Sequence, residues 1–141
     1  MAYEQLYLSH QFCFPLYAAS KAVTRQYIPL LKETGLTYTQ YIAMLALYEH
    51  GSMDVQDLGK VLYLDSGTLS PLLKKLEAAG YIEKTRGEDA RFVTIEVTEK
   101  GFELREKLSK IPSSMACCIP LKKEEAIAMI EGCKKILEAL E

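Results

Sequence analysis

The 141 residues, 49% hydrophobic and 26% charged, have an ordinary globular composition with room for one modest apolar core, which excludes a disordered chain. No run approaches the roughly 18 consecutive apolar residues that a membrane-spanning helix needs. A formal charge of −2 gives no general pull toward nucleic acid, yet it leaves a sequence-specific binder open, because such contacts depend on where the basic side chains lie.

Met1 to Ser9 carry Glu4 and no basic residue, so they lack the positive start of a secretory signal. The four cysteines (Cys13, Cys117, Cys118 and Cys133) are unevenly placed, which points to reduced thiols in the cytoplasm rather than a disulfide scaffold. Residues 9–34 read as one long helix that Pro29 should kink or divide and Gly35 should end. Thr37 to Glu49 repeats Tyr41, Met44, Leu45 and Tyr48 at helical spacing. A short helix, Asp54 to Val61, precedes a second that starts after Asp65, a candidate N-cap, and runs to Ala79 with Leu69, Leu72, Leu73 and Leu76 as its apolar stripe. Two short helices separated by Tyr63-Leu64 have the dimensions of a helix-turn-helix.

The period then changes. Residues 81–84 and 91–97 read as strands joined by a polar tip at 87–90, the layout of a wing. Residues 98–110 predict a further helix capped by Thr98, Pro112 and Pro120 bracket an irregular patch, and Glu124 to Leu140 closes the chain as an amphipathic helix. The fold class is therefore mainly helical with a small β-hairpin: a winged helix-turn-helix at 36–97 within a single domain of residues 1–141.

In the second helix of that motif, Ser66, Thr68 and Ser70 place small hydroxyls at the tip, while Lys74 and Lys75 lie further along, suited to phosphates. The leucines face the other way, so bases and core are separated by face. Residues 55–91 hold six basic and six acidic side chains, so the region is no basic patch by composition. Some acids are expected to act internally, Asp65 as a cap and Asp89 as a partner for Arg91 or Arg86 in the wing.

Cys13 lies among Phe12, Phe14, Leu16 and Tyr17. A reactive cysteine needs a stabilised thiolate, and the nearest Lys or Arg in sequence, Lys21, is two turns away. The helix start and phenol donors are the remaining sources of stabilisation. Tyr27 shares roughly one face with Cys13 and Tyr17, but at 1.5 Å per residue it lies about 21 Å along a straight helix. It can meet a Cys13 only through a sharp bend or from a second chain.

Over essentially its whole length the sequence resembles the MarR-type winged-helix repressors, and within them the OhrR/SarZ-like branch of thiol-based organic-peroxide sensors. The matching segments are Cys13-Phe14, Leu16-Tyr17-Ala18, residues 35–41, residues 64–69, residues 71–77, the wing Asp89-Ala90-Arg91 and Val97-Thr98 with Gly101. The resemblance implies a homodimer built from helices in 9–34 and 98–141. It makes Cys13 the sensing thiol and Tyr27 and Tyr38 of the partner subunit its hydrogen-bond donors. Ser66, Thr68 and Ser70 are expected on operator DNA together with Lys74, Lys75, Arg86 and Arg91, with Asp89 orienting Arg91. The branch resolves its oxidised thiol in one of two ways, with a low-molecular-weight thiol or with a cysteine near the C-terminal helices, here Cys118 or, close behind, Cys117.

Two other readings stay open at this point: a repressor answering a small aromatic ligand, and a thiol peroxidase, which would leave the helix-turn-helix and wing unexplained. No cofactor is expected, and no metal. His10 and His50 are the only histidines, and adjacent Cys117-Cys118 lacks ligand spacing.

Overall fold

Two single turns of 3-10 helix, Glu4–Leu6 and Leu8–His10, lead into α1 (Cys13–Leu31) in the computed structural model, which describes residues 1–141. Pro29 does not divide α1. The helix continues two residues beyond it, tightens into a 3-10 turn at Lys32–Thr34 and ends at left-handed Gly35, φ 70°. The proline lacks only the N–H of its own position, and near a helix end that loss is confined to the last turn.

A capping box starts α2 (Tyr38–His50). The Gln40 N–H donates to Thr37 Oγ1 at 3.3 Å, and the Thr37 N–H donates back to Gln40 Oε1 at 2.9 Å, which satisfies a buried glutamine. Asp54 caps α3 (Val55–Leu62) and Asp65 caps α4 (Ser66–Ala78), its Oδ1 accepting the Thr68 N–H at 2.7 Å. That bond holds the Asp65 carboxyl below the usual range. Asp65→Ala should therefore lower the melting temperature at neutral pH. Because the folded-state value is the depressed one, the deficit should shrink as pH falls through and below the ordinary carboxylate range. Thermal melts of both proteins across acid pH check this.

Between α3 and α4 the chain turns at Tyr63, φ 55° and ψ 39°. A left-handed conformation costs a non-glycine residue about 1 kcal/mol.

The leucine stripe of α4 is buried at Leu69, Leu72, Leu73 and Leu76, with Met44 and Leu47 of α2 and Leu58 of α3 in the same core. Strands β2 (Ile82–Arg86) and β3 (Val93–Val97) form the wing, paired antiparallel from Ile82↔Val97 to Arg86↔Val93. Its tip spans 87–92, longer than the four residues expected from sequence. A strand absent from the sequence reading, β1 (Met53–Asp54), completes the sheet by pairing Met53 with Ile95 and giving the order β1-β3-β2. Two residues are too few to show a period of two.

The helix expected over 98–110 is two short ones, α5 (Glu99–Glu103) and α6 (Arg105–Leu108), with Thr98 capping the first through the Gly101 N–H at 3.1 Å. The patch expected to be irregular is helical, α7 (Ile111–Cys118). Pro112 sits in its first turn, where a missing N–H leaves no bond unmade, and Pro120 follows its end.

The chain packs as two compact units, Met1–Ile111 and Pro112–Glu141. In the second, α8 (Lys123–Leu140) leaves Ile127, Met129, Ile130 and Leu140 exposed. In the first, Leu6, Leu8, Phe12, Phe14 and Tyr17 near the N-terminus are exposed as well. No helix is long and apolar enough to cross a membrane.

Candidate nucleic-acid interface and thiol site

On α4 the two faces are cleanly divided. Ser66, Thr68, Ser70, Lys74 and Lys75 are all exposed, and the four leucines are buried. Asp65 uses a carboxylate oxygen on the first turn of the helix, accepting the Thr68 N–H. A cleft of about 520 Å³ opens between α4 and the wing, lined by Ser66 and Ser70 on one side and Lys84 and Arg86 on the other, with Glu77 also present. Lys84, one of the six basic residues counted over 55–91 but not expected on DNA, joins this lining. Strand alternation could have found it, because Ile82, Lys84 and Arg86 share one face of β2.

At the wing tip Asp89 pairs with Arg91, not Arg86. Arg91 Nη2 donates to Asp89 Oδ2 at 2.8 Å, Nε donates to both carboxylate oxygens at 3.1 Å, and the Arg91 backbone N–H donates to Oδ1 at 3.1 Å. The guanidinium lowers the Asp89 carboxyl and is itself raised by it. The Arg91 side chain stays 82% exposed, so the pair orients a cation without hiding it.

Cys13 is the first residue of α1, and it is exposed, with Phe12 and Phe14 exposed beside it. Lys21 holds its Nζ 5.0 Å from the centre of the Tyr17 ring. Tyr27 and Tyr38 come together, ring centres 4.7 Å apart, although they belong to α1 and α2. Tyr41, read from its spacing only as a packing residue, completes the cluster at 5.5 Å from Tyr27 and 6.3 Å from Tyr38. Burial raises all three phenols, and their mutual proximity raises Tyr38 and Tyr41 further, so they stay protonated donors. Because α1 is continuous from Cys13 past Tyr27, the thiol and this cluster of the same chain are held about 21 Å apart along the helix. Cys117, Cys118 and Cys133 are exposed in the second unit.

Residues 25–108 match the family model described as transcriptional regulator SarA/Rot. The organic hydroperoxide resistance transcriptional regulator of Bacillus subtilis is 46% identical over 114 residues, which is 80% of this chain and 78% of that protein. The chain belongs to the SarA/Rot family. Among solved members of this MarR-like group, AbfR of Staphylococcus epidermidis superposes in three states. The reduced form bound to DNA is 31% identical with a TM-score of 0.81, covering 100% of both chains. The overoxidised form bound to DNA is 32% identical with the same TM-score and coverage. The disulfide form is 33% identical with a TM-score of 0.71, covering 97% of this chain and 94% of the other. The family model makes the chain a transcriptional regulator and not an enzyme, these relatives together support a winged-helix, redox-sensing, DNA-binding one, and MarR-family regulators are dimeric.

Proposed function

We propose that this regulator is a cytoplasmic homodimeric repressor that leaves its operator when an organic hydroperoxide oxidises Cys13. The observation that carries the reading is the Tyr27–Tyr38 pair, assembled within one chain yet about 21 Å along α1 from that chain's own thiol. A symmetric dimer built from the N- and C-terminal helices (within 9–34 and 98–141) brings each Cys13 to the partner subunit's Tyr27 and Tyr38, giving two composite sites. The exposed apolar residues Phe12, Phe14, Ile127 and Ile130 supply area for such an interface. Within each subunit α4 enters the major groove with Ser66, Thr68 and Ser70, while Lys74, Lys75, Arg86 and Arg91 neutralise phosphates.

The chemistry is one oxygen transfer followed by one condensation. The Cys13 thiolate attacks a peroxide oxygen, an S–O bond forms as the O–O bond breaks, and the departing alkoxide takes a proton to leave as an alcohol. A second thiol then displaces the sulfenic oxygen as water and closes a disulfide. We assign this step to Cys118, with Cys117 next and a low-molecular-weight thiol third. The overoxidised relative on DNA supports assigning release to the disulfide rather than to oxygen on sulfur alone. A disulfide between subunits alters the spacing of the two α4 helices, which must match one turn of B-DNA.

The test uses a duplex that the reduced protein selects from a random-sequence pool, with binding followed by mobility shift and cross-linking by non-reducing electrophoresis after brief cumene hydroperoxide treatment. The expected result is loss of the DNA complex together with a covalent dimer that Cys118→Ser abolishes. A dimer lost only in Cys117→Ser names that residue instead. A small-thiol adduct on Cys13 without a covalent dimer assigns resolution to the small thiol. An unmodified Cys13 in all samples overturns the proposal and returns the chain to the ligand-responsive class.

A further inference from the structure

We infer that Tyr63, in the turn between α3 and α4, is a positioning residue for DNA, its phenol donating a hydrogen bond to a backbone phosphate oxygen beside the groove that α4 enters. The inference rests on α4 being the DNA-reading helix.

Four residues of the chain have positive φ, and three are glycines: Gly35, Gly51 and Gly80. Tyr63 is the exception. Glycine or asparagine would make this turn at lower cost, since neither meets the steric penalty that a bulky side chain meets there. The turn's own hydrogen bonds do not need the side chain. The Tyr63 N–H donates to the Lys60 carbonyl at 3.3 Å, and the Leu64 N–H donates to the Gly59 carbonyl at 3.0 Å. The ring is 54% exposed and engages in no ring pair or hydrogen bond within the chain. A strained backbone carrying an unused, exposed phenol marks a contact outside the chain.

Its position says which contact. Tyr63 stands two residues before the Asp65 cap and three before Ser66, the first exposed hydroxyl of α4. DNA docked on that hydroxyl edge brings a flanking phosphate to the turn. Tyrosine is among the neutral side chains that donate to phosphate oxygens, and such contacts fix register without reading sequence.

A neutral donor also leaves a distinctive signature. Removing a lysine contact flattens the salt dependence of binding by about one unit of log–log slope, whereas removing a phenol contact leaves the slope unchanged. The test compares wild type, Tyr63→Phe, Tyr63→Gly, Ser66→Ala and Lys74→Ala on the duplex selected by the wild-type protein, measuring affinity against salt and melting temperature. Tyr63→Phe should bind roughly 10-fold more weakly, with the same salt slope and the same preference over a scrambled duplex. Tyr63→Gly should bind as weakly while melting at or above the wild-type temperature, which separates lost contact from lost fold. If Tyr63→Phe binds like wild type while Ser66→Ala and Lys74→Ala weaken, the inference is overturned and the α4 reading stands. If Ser66→Ala and Lys74→Ala also bind like wild type, the α4 reading falls and takes this inference with it.

Discussion

Cys13→Ser is expected to bind operator DNA like the wild-type protein and to need at least roughly 100-fold more cumene hydroperoxide for release, because a serine hydroxyl is neither ionised nor appreciably nucleophilic near neutral pH. The substitution is nearly isosteric, and Cys13 is exposed at the first position of α1, so no core packing is lost. The protonated phenols of Tyr27 and Tyr38 are suited to donate to a thiolate, and burial keeps them donors throughout the physiological range. Tyr27→Phe and Tyr38→Phe should accordingly slow oxidation, each by about 10-fold, while sparing DNA binding, as loss of a hydrogen bond to a charged group implies. Stopped-flow oxidation of the reduced proteins separates these effects. Release of Cys13→Ser at wild-type hydroperoxide concentrations would remove Cys13 from the mechanism.

The largest expected loss of stability lies at Gly101. A Cβ there would stand 2.2 Å from the Tyr81 carbonyl oxygen and 2.6 Å from Val97 Cγ1. Neither neighbour can yield cheaply. The Tyr81 carbonyl already accepts the Thr98 N–H at 3.1 Å, and the Gly101 carbonyl is itself gripped by the Tyr48 hydroxyl at 2.6 Å. Burial pushes the Tyr48 phenol up to about 12, so this bond persists across neutral pH. Gly101→Ala must therefore move α5 away from the wing's base, and we expect a loss of about 3 kcal/mol, or roughly 10 °C in melting temperature. Gly132→Ala is the matched control. It lies in α8, meets nothing within 4 Å, and should stabilise by about 0.5–1 kcal/mol through helix propensity. Equal melting temperatures for Gly101→Ala and wild type would show that α5 can shift freely.

Much of the architecture is written locally. The caps at Thr37, Asp65 and Thr98, the stop at Gly35 and the leucine stripe of α4 all involve residues within a turn or two of each other, so periodicity and capping chemistry are enough to locate them. The same locality places Cys13 and Tyr27 too far apart on one helix to meet, and it does so before any fold is known. Other features depend on which distant segments meet. The pairing of Met53 with Ile95 makes a strand from two residues that carry no period of their own. The Tyr27–Tyr38–Tyr41 cluster exists only because α1 and α2 pack at one particular register. Gly101 reads as a poor helix residue until the Tyr81 backbone is seen against it. Local hydrogen bonds and side-chain period determined most of the elements and their order; contacts between segments tens of residues apart, which no short window of sequence contains, decided the strand β1 and how the site is assembled.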